Sequence, residues 1–210
     1  MNTIPAHLDH IVLATPDLAT TVAEFARRTG LTPAPGGVHV GLGTRNYLVG
    51  LGGCAYLEII GPDPEQPVPP HARPFGTDVL AAARTTTWAI SPPDLDAAVA
   101  AARARSYDTG EVREMSRRRP DGTLLRWRLT DGGSPHPSGV VPFLIDWGTT
   151  PHPSASGLPV SPLLELTATA PDPDDVRPLL SAVGTDLTLT EGPAGFSFTV
   201  DTPNGPVTFT

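Results

Sequence analysis

Several features are scarce in this sequence, and each scarcity excludes a class of protein. A single cysteine, Cys54, leaves no partner for an internal disulfide, which fits a reducing compartment. No apolar stretch approaches the roughly 20 residues that span a bilayer, and no basic-then-apolar leader opens the chain. Basic residues number 14 against 22 acidic ones, and the net charge of −8 would repel nucleic acid and anionic membrane surfaces. We therefore expect a cytoplasmic protein whose partner is a small molecule, with no nucleic acid and no membrane.

The motifs of several common site types are also missing. The chain has no CxxC or HExxH motif and no phosphate-binding P-loop, and its glycine-rich segment at 41–43 lacks the strand-to-helix setting of a dinucleotide fingerprint. The composition does supply 39% hydrophobic residues, enough for a packed core. The 26 prolines and 21 glycines indicate many turns between short elements. At 210 residues, these proportions favour one composite domain over two large ones.

The most informative pattern is a segment that occurs three times, at residues 10–30, 88–110 and 166–184. Each copy has an apolar run, an acidic helix start, an amphipathic helix and a glycine stop. The helix-start residues are Asp17, Asp94 and Asp172, which follow one another at steps of 77 and 78 residues. A near-constant step with one strand-to-helix signature is typical of duplicated structural modules. Since one such module cannot close a core alone, we expect a site in the cleft between paired modules.

Hydrophobic periodicity and turn residues predict a strand, a helix and three strands in each module. The first two modules cover residues 7–61 and 85–148 and form one domain over 1–148, with a proline-rich loop between them. Residues 149–161 have the composition of a linker. A shorter third module occupies 162–210, and we interpret it as a scaffold or as a dimer-forming element, which makes a homodimer a prediction.

Several motifs of the first two modules carry a family resemblance. They are LDHIVLATPDL, HVGLGTRN, YLEIIGPDP, RPDG followed by LRWR, and PFLIDW, between about Leu8 and Trp147. The pattern resembles the glyoxalase-like family of the vicinal oxygen chelate superfamily. The resemblance implies an α+β fold of the glyoxalase and bleomycin-resistance type, in which repeated βαβββ modules form a cup of mixed β-sheets with helices outside. That superfamily includes isomerases, ring-cleaving dioxygenases, epimerases, drug-modifying enzymes and drug-binding proteins, so the resemblance implies a small-molecule cup and no single reaction.

Strand alternation indicates where the site lies. The first strand and the strand at 55–60 each have one face that we predict to pack under the helix, carrying Ile11, Leu13, Leu57 and Ile59. On that reading His10 and Glu58 both point into the cup, and a buried carboxylate there needs a partner. Metal-binding members of the superfamily carry ligands at these positions, so the resemblance implies a divalent metal at His10 and Glu58, with Glu58 as a catalytic carboxylate. The alternative is that the two side chains bond each other or backbone groups.

The second module departs from the metal-binding pattern. Aligning the helix starts puts Thr87 in place of His10, and threonine is a poor ligand. A third ligand must then come from His39 or Asp146. His39 would give a two-histidine, one-carboxylate set that suits iron, manganese or zinc, while Asp146 would give a harder set that suits magnesium or manganese. We favour Asp146, as a ligand or a catalytic base, because it ends a strand of the partner module; a loop-anchoring carboxylate is the alternative.

A second group of residues suits a ligand pocket. An amide and large aromatic side chains hold small, partly apolar ligands, and an arginine adds a polar contact. The candidates are Asn46, Trp88, Arg126, Trp127 and Trp147. For the tryptophans a place in the core is the alternative. The run of three arginines at 117–119 is interpreted as a solvated hairpin arm, with anion capture as the alternative.

Two functions remain open at this point. The first is a metal-dependent enzyme (lyase, isomerase or dioxygenase) acting on a small oxygenated molecule, with zinc, manganese, iron or magnesium as the cofactor. The second is a metal-free protein that binds or sequesters a small molecule, as drug-resistance proteins do. The missing histidine of the second module favours the second function, and the shared face of His10 and Glu58 favours the first.

Overall fold

The computed structural model describes residues 4–119, 121–130 and 138–210. The first unit of the fold contains five elements: β1 (Leu8–Ala14), α1 (Leu18–Thr29), β2 (Ala34–His39), β3 (Thr44–Gly52) and β4 (Ala55–Pro62). Helix α1 begins where the side chain of Asp17 accepts a hydrogen bond from the backbone N–H of Thr20, and it ends at Gly30 in the left-handed conformation, φ 73°. The aspartate and the glycine that predicted the helix therefore form its two caps.

The second unit repeats this order of elements. It contains β5 (Arg84–Ile90), α2 (Leu95–Arg103), β6 (Val112–Arg118), β7 (Leu124–Thr130) and β8 (Phe143–Asp146). Asp94 caps α2 by accepting a hydrogen bond from the backbone N–H of Ala97. We call β1 to β4 with α1 the first half of the barrel, and β5 to β8 with α2 the second half.

The eight strands close into a barrel in the order β1-β4-β3-β2-β6-β7-β8-β5. Within each half, the first strand lies beside the fourth, the fourth beside the third, and the third beside the second. The two halves meet where β1 pairs with β5 and where β2 pairs with β6. The first and fourth strands of each half pair in parallel and their other neighbours pair antiparallel, so the sheet is mixed. The predicted α+β cup built from repeated units is confirmed.

The predicted alternation of inner and outer faces is also confirmed. Buried apolar side chains form two clusters, one inside the barrel and one between the barrel wall, the helices and the sheet of the third unit, which is described below and called the third sheet. The outer cluster includes Ile11, Leu13, Leu57 and Ile59, and the inner cluster includes Val12, Tyr56 and Ile60. His10 and Glu58, which alternate with these outer residues, are both buried at the inner face.

The third unit contains β9 (Leu163–Ala170), α3 (Pro173–Ala182), β10 (Thr188–Glu191), β11 (Gly195–Val200) and β12 (Val207–Phe209). Its four strands form a separate sheet in the order β10-β9-β11-β12, which differs from the order in each half of the barrel. The Phe209 ring stacks between Phe25 of α1 and Phe198 of β11, with centroids 5.1 Å apart on both sides. The third sheet thereby covers the outside of the barrel and shares its outer core.

The segment between barrel and third sheet also pairs with the barrel. The backbone N–H of Gly50 in β3 donates to the Pro159 carbonyl, and the N–H of Ser161 donates to the Gly50 carbonyl, each at 2.8 Å. The division into a domain over 1–148, a linker over 149–161 and a third unit over 162–210 stays a prediction. No helix in the described part of the chain has both the length and the apolar character to cross a membrane.

Candidate functional site

The barrel encloses a cavity of about 480 Å³ that is apolar over most of its wall. Its apolar lining comes from Leu42, Ile60, Pro74, Phe75, Met115, Trp127, Leu129, Phe143 and Ile145. The polar lining is contributed by His10, His39, Glu58, His71 and Arg113. This volume is in the range of pockets that bind small organic ligands, and a mostly apolar wall with few polar groups is typical of them.

The His10 imidazole is held in one orientation by Asp9. Its Nδ1 lies 2.6 Å from Asp9 Oδ1, and its ring stacks on Tyr56 at 4.8 Å between centroids. Since an ionised carboxylate only accepts hydrogen bonds, Nδ1 carries the proton and donates it to Asp9. In the neutral ring, Nε2 then carries a lone pair, and it faces the Glu58 carboxylate at 3.8 Å from Oε2.

Asp9 is a fully buried carboxylate, 1% exposed, that accepts from three ring N–H groups. Besides His10, Trp147 Nε1 donates to Oδ2 at 2.9 Å, and His152 Nε2 lies 3.0 Å from the same oxygen. Burial by itself raises the pKa of this carboxyl, but the hydrogen bonds and charges of His10 and His152 together lower the pKa to about 2. Asp9 is therefore ionised at neutral pH.

His39 directs a second acceptor nitrogen at the same carboxylate. Its Nδ1 is 3.0 Å from Thr44 Oγ1, and the Asn46 amide nitrogen, a donor, lies 3.4 Å from Nε2. This assigns the ring proton to Nδ1 and the lone pair to Nε2, which lies 3.7 Å from Glu58 Oε1. Burial lowers the pKa of His39 to about 4, so the ring is neutral at pH 7.

Glu58 lies between the two imidazoles and is 7% exposed. The Asn46 side-chain amide donates to Glu58 Oε1 at 2.5 Å. Three acceptors thus converge: the Nε2 lone pairs of His10 and His39, and the Glu58 carboxylate. Buried acceptors that face one another repel, so this cluster fits a positive ion or a ligand that brings hydrogen-bond donors.

Gly36 of β2 makes room for this arrangement. A Cβ at position 36 would lie 2.2 Å from Asn46 Oδ1, 2.9 Å from Leu48 Cγ and 3.0 Å from Arg117 Nη1. The absence of a side chain therefore lets Asn46 and Arg117 enter the barrel interior.

Arg117 was expected on a solvated hairpin arm, and that expectation is wrong. Its side chain is buried, only 3% exposed, and its guanidinium donates to the Gly36 carbonyl. Burial lowers the pKa of Arg117, and its charge adds to the effects that lower the pKa of His39. Arg118 and Arg119, in contrast, are exposed or half-buried and bond at the hairpin surface, so only the last two arginines form the predicted arm.

The second half carries different residues at the symmetric positions. In the parallel pairs Val12 lies opposite Glu58, and Ala89 lies opposite Phe143. Because Val12 and Ala89 hold the same place relative to their helix caps, Phe143 occupies the position of Glu58, and Thr87 that of His10. Among the described residues, the buried hydroxyl of Thr87 has no hydrogen-bond partner.

Asp146 does not join the cluster, contrary to the sequence-based preference. Phe143 and Ile145 point into the cavity, so the alternation of β8 directs Asp146 outward. There its carboxylate accepts from Arg128 Nη2 at 2.9 Å and from the backbone N–H of Gly148 at 2.8 Å. The hydrogen bond from Arg128 is the main cause of its lowered pKa. Asp146 anchors the outer surface and is not available as a third ligand.

The predicted pocket residues lie in several different parts of the structure. Asn46 lies in the cluster and Trp127 lines the cavity. Trp147 packs against Trp127 at 5.1 Å and bonds Asp9, while Arg126 lies in an outer groove beside Asp146. Trp88 is fully buried in the outer core, where its Nε1 donates to the Val140 carbonyl at 2.8 Å, so it is a core residue and not a pocket residue.

The sequence did not lead us to two residues of the hydrogen-bond network that orients His10, namely Asp9 and His152. Asp9 precedes His10 directly, and an Asp-His pair at a strand start was the signal available for it. His152 lies in the segment interpreted as a linker, and nothing in its sequence context indicates that it reaches a residue 143 positions earlier.

The side chains of His10, His39 and Glu58 are of the chemical types that bind a divalent cation. Two imidazole nitrogens and one carboxylate are ligands that zinc, manganese and iron accept, and two ligands of one such ion lie roughly 3–4 Å apart. The His10–Glu58 and His39–Glu58 separations of 3.8 and 3.7 Å fall in that range. In the described ranges, however, no three His, Cys, Asp or Glu side chains are already grouped so that they could hold an ion. The three side chains would have to draw together around it.

Comparisons with known proteins bear on the fold. A hypothetical protein from Staphylococcus aureus matches with 15% identity and a TM-score of 0.63 over 98% of this chain and 85% of that one. Methylmalonyl-CoA epimerase from Mycobacterium tuberculosis matches with 19% identity and a TM-score of 0.42, covering 74% of this chain and 96% of its own. A variant of 4-hydroxymandelate synthase from Streptomyces coelicolor matches with 14% identity and a TM-score of 0.49, covering 100% of this chain and 62% of that one.

The family assignment rests on the sequence itself. No curated protein matches the chain significantly. A family described as a glyoxalase-like domain matches residues 8–184, which include the whole barrel together with β9 and α3. The match thus extends beyond the stretch between Leu8 and Trp147 that carried the resemblance. The chain belongs to the glyoxalase-like family.

Proposed function

We propose that this chain is an enzyme that acts on a small molecule with an apolar body and an oxygenated end, using a divalent cation held by His10, Glu58 and His39. The observation that carries the proposal is the convergence of three buried acceptors whose ring protons are assigned to the far side of each imidazole. His10 donates to Asp9 and His39 to Thr44, so both Nε2 lone pairs are directed at Glu58, that of His39 with a long contact of 3.4 Å to the Asn46 amide. Such orientation of ligand imidazoles by hydrogen bonds is typical of metal-binding histidines.

The residues of the chain have distinct roles in this proposal. The apolar wall around Phe143 and Trp127 binds the body of the ligand and excludes water from the polar end. The cation, when bound, would polarise the substrate oxygens and stabilise negative charge that develops on them. Asn46 fixes Oε1 of Glu58, which leaves Oε2 to accept a proton from the substrate.

A metal-free binding protein is the second candidate function, and one observation favours it. The positions that correspond to His10 and Glu58 carry Thr87 and Phe143 in the second half, so one half of the cup offers no ligand there. In that case the three acceptors would recognise hydroxyl or amide donors of a mostly apolar ligand. The predicted homodimer stays a prediction under either function.

Calorimetric titration of chelator-treated protein with zinc and with manganese separates the two functions. We expect binding by the parent and a loss of more than about 100-fold in affinity for Glu58→Gln and His39→Ala, since a lost ligand costs more than a lost outer contact. Asp146→Ala is the matched control, because its carboxylate lies outside the cup, and it should bind as the parent does. Absence of binding in the parent would favour the metal-free function. Loss in Asp146→Ala with unchanged binding in His39→Ala would contradict the ligand set.

A further inference from the structure

The segment that follows β8 reaches back into the site through His152. This residue lies one position before a short 3-10 turn, Pro153–Ser156, and its Nδ1 accepts from the backbone N–H of Ser154 at 3.2 Å, with Ser154 Oγ at 2.7 Å. Its ring lies edge-on against Tyr56 and Trp147, with centroids 5.5 Å apart in both cases. The side chain of His152 is 23% exposed, so it lies between the buried Asp9 carboxylate and the solvent.

The bonds of His152 determine which of its nitrogens carries the proton. Because the backbone N–H of Ser154 is a donor, Nδ1 must be the acceptor, and Nε2 carries the hydrogen that points to Asp9 Oδ2 at 3.0 Å. Trp147 donates to the same oxygen, so Oδ2 is held from two sides. With Oδ2 held, Oδ1 stays directed at His10 Nδ1.

We propose that His152 is a positioning residue for His10: acting through Asp9, it keeps the His10 ring protonated on Nδ1 with Nε2 turned into the cup. The segment at 149–157 is then part of the functional site. Without the donor from His152, the Asp9 carboxylate gains freedom to turn toward water, and His10 loses its partner for part of the time. This rests on the proposed function only in giving His10 a cation to bind, because the orientation of the ring can be measured without one.

The test compares three variants by the ring-nitrogen NMR signals of His10 in chelator-treated protein. The signals are assigned by their loss in His10→Gln. We expect one tautomer, protonated on Nδ1, in the parent, and a mixture of both tautomers in His152→Ala. His152→Gln should restore the parental tautomer, because the glutamine amide N–H can reach the place of Nε2. Asp146→Ala is the control, since its carboxylate lies outside the cup and bonds Arg128, and it should resemble the parent.

Zinc titration of the same variants gives a second readout. Loss of an outer contact to a ligand histidine weakens metal binding by about 10- to 100-fold. We therefore expect the zinc affinity of His152→Ala to fall by about 10-fold, and that of His152→Gln to stay close to the parental value. A parental tautomer in His152→Ala, with only a lowered unfolding free energy, would overturn the proposal and leave His152 a packing residue. If the parent binds no zinc, the proposed cation site fails, while the tautomer measurement still decides the role of His152.

Discussion

The two halves of the barrel have the same architecture and different interiors. Both have the same order of elements, the same strand order and an aspartate cap on the helix. Toward the helices, each first strand is apolar: Ile11 and Trp88 hold equivalent positions in the outer core, as do Leu13 and Ile90. On the first strand and its parallel neighbour, the first half carries Asp9, His10 and Glu58, where the second half carries Thr86, Thr87 and Phe143 at the corresponding positions.

This difference separates the residues that build the fold from the polar residues of the candidate site. The outer face must be apolar in both halves, because it packs the helices and the third sheet against the barrel. The inner face is constrained only by the volume of the cavity and by the partners of buried polar groups, so it diverges between halves without changing the fold. The buried histidine and carboxylate groups of the cup are therefore concentrated on one side.

We expect the largest difference in the free energy of unfolding between variants of Asp9 and of Thr86, its counterpart in the second half. Asp9→Ala would leave the ring N–H groups of His10, Trp147 and His152 buried without their acceptor, and we expect the free energy of unfolding to fall by about 3–5 kcal/mol. Thr86→Ala removes a buried hydroxyl that has no partner among the described residues and should cost about 1 kcal/mol or less. Urea unfolding of both variants at pH 7 measures this. Equal losses would contradict the asymmetry between the halves.

Acid should destabilise the protein mainly through the first half, since none of the four strands β5, β6, β7 and β8 itself carries a histidine. Burial lowers the pKa of His39 to about 4 in the folded state. The unfolded chain binds that proton near pH 6.5, so the free energy of unfolding falls as the pH drops from about 6.5 to 4, by about 3 kcal/mol. Asp9, with its pKa lowered to about 2, adds a further loss as the pH falls from about 3.8 to 2.

Urea unfolding of chelator-treated protein at pH 7, 5.5 and 4 checks this pH dependence. His39→Gln should remove the loss between pH 6.5 and 4 and leave the lower one in place, since glutamine does not titrate. A parental pH dependence in His39→Gln would show that another group causes the upper loss.

We expect the smallest effect on the free energy of unfolding when two buried threonines are replaced and compared. Thr44 holds Nδ1 of His39 at 3.0 Å, whereas the Thr87 hydroxyl has no partner in the described structure. Thr44→Val should lower the free energy of unfolding by about 1–2 kcal/mol, because a buried donor is left unsatisfied. Thr87→Val keeps the shape and should be neutral or stabilising by up to about 1 kcal/mol. Thermal unfolding of both variants measures the contrast, and a larger loss in Thr87→Val would reveal a partner for that hydroxyl.

Sequence reasoning predicted most of the fold because its signals are local. Caps at Asp17 and Asp94 fix the helix starts, and alternation in β1 and β4 assigns the faces, with Glu58 as the one acidic side chain in an apolar strand. In β8 the same method failed. Residues 143–147 are apolar on both faces except at Asp146, so the alternation could not tell which residues of β8 face the cavity. Asp146 was expected inside only because it ends the strand, and the structure places it outside.

The remaining errors concern contacts between distant segments. Arg117 looks like a surface residue in a run of three arginines, and only the register of β2 against β6, with the gap at Gly36, shows that it enters the barrel. His152 is separated from Asp9 by two-thirds of the chain, and its bond depends on how a proline-rich segment folds back. Neither placement follows from local propensity, because both are set by tertiary packing.

Gly36 has a practical consequence for redesigning the cup. The Asn46 amide, fixed by Glu58, occupies the volume that any side chain at position 36 would need, and Leu48 and Arg117 close the same space. A mutant library that aims at a new ligand can vary the apolar wall at Met115 or Leu129, which contact the cavity from the other half. Position 36 has to stay glycine in such a library, because even alanine there would move the amide that orients Glu58.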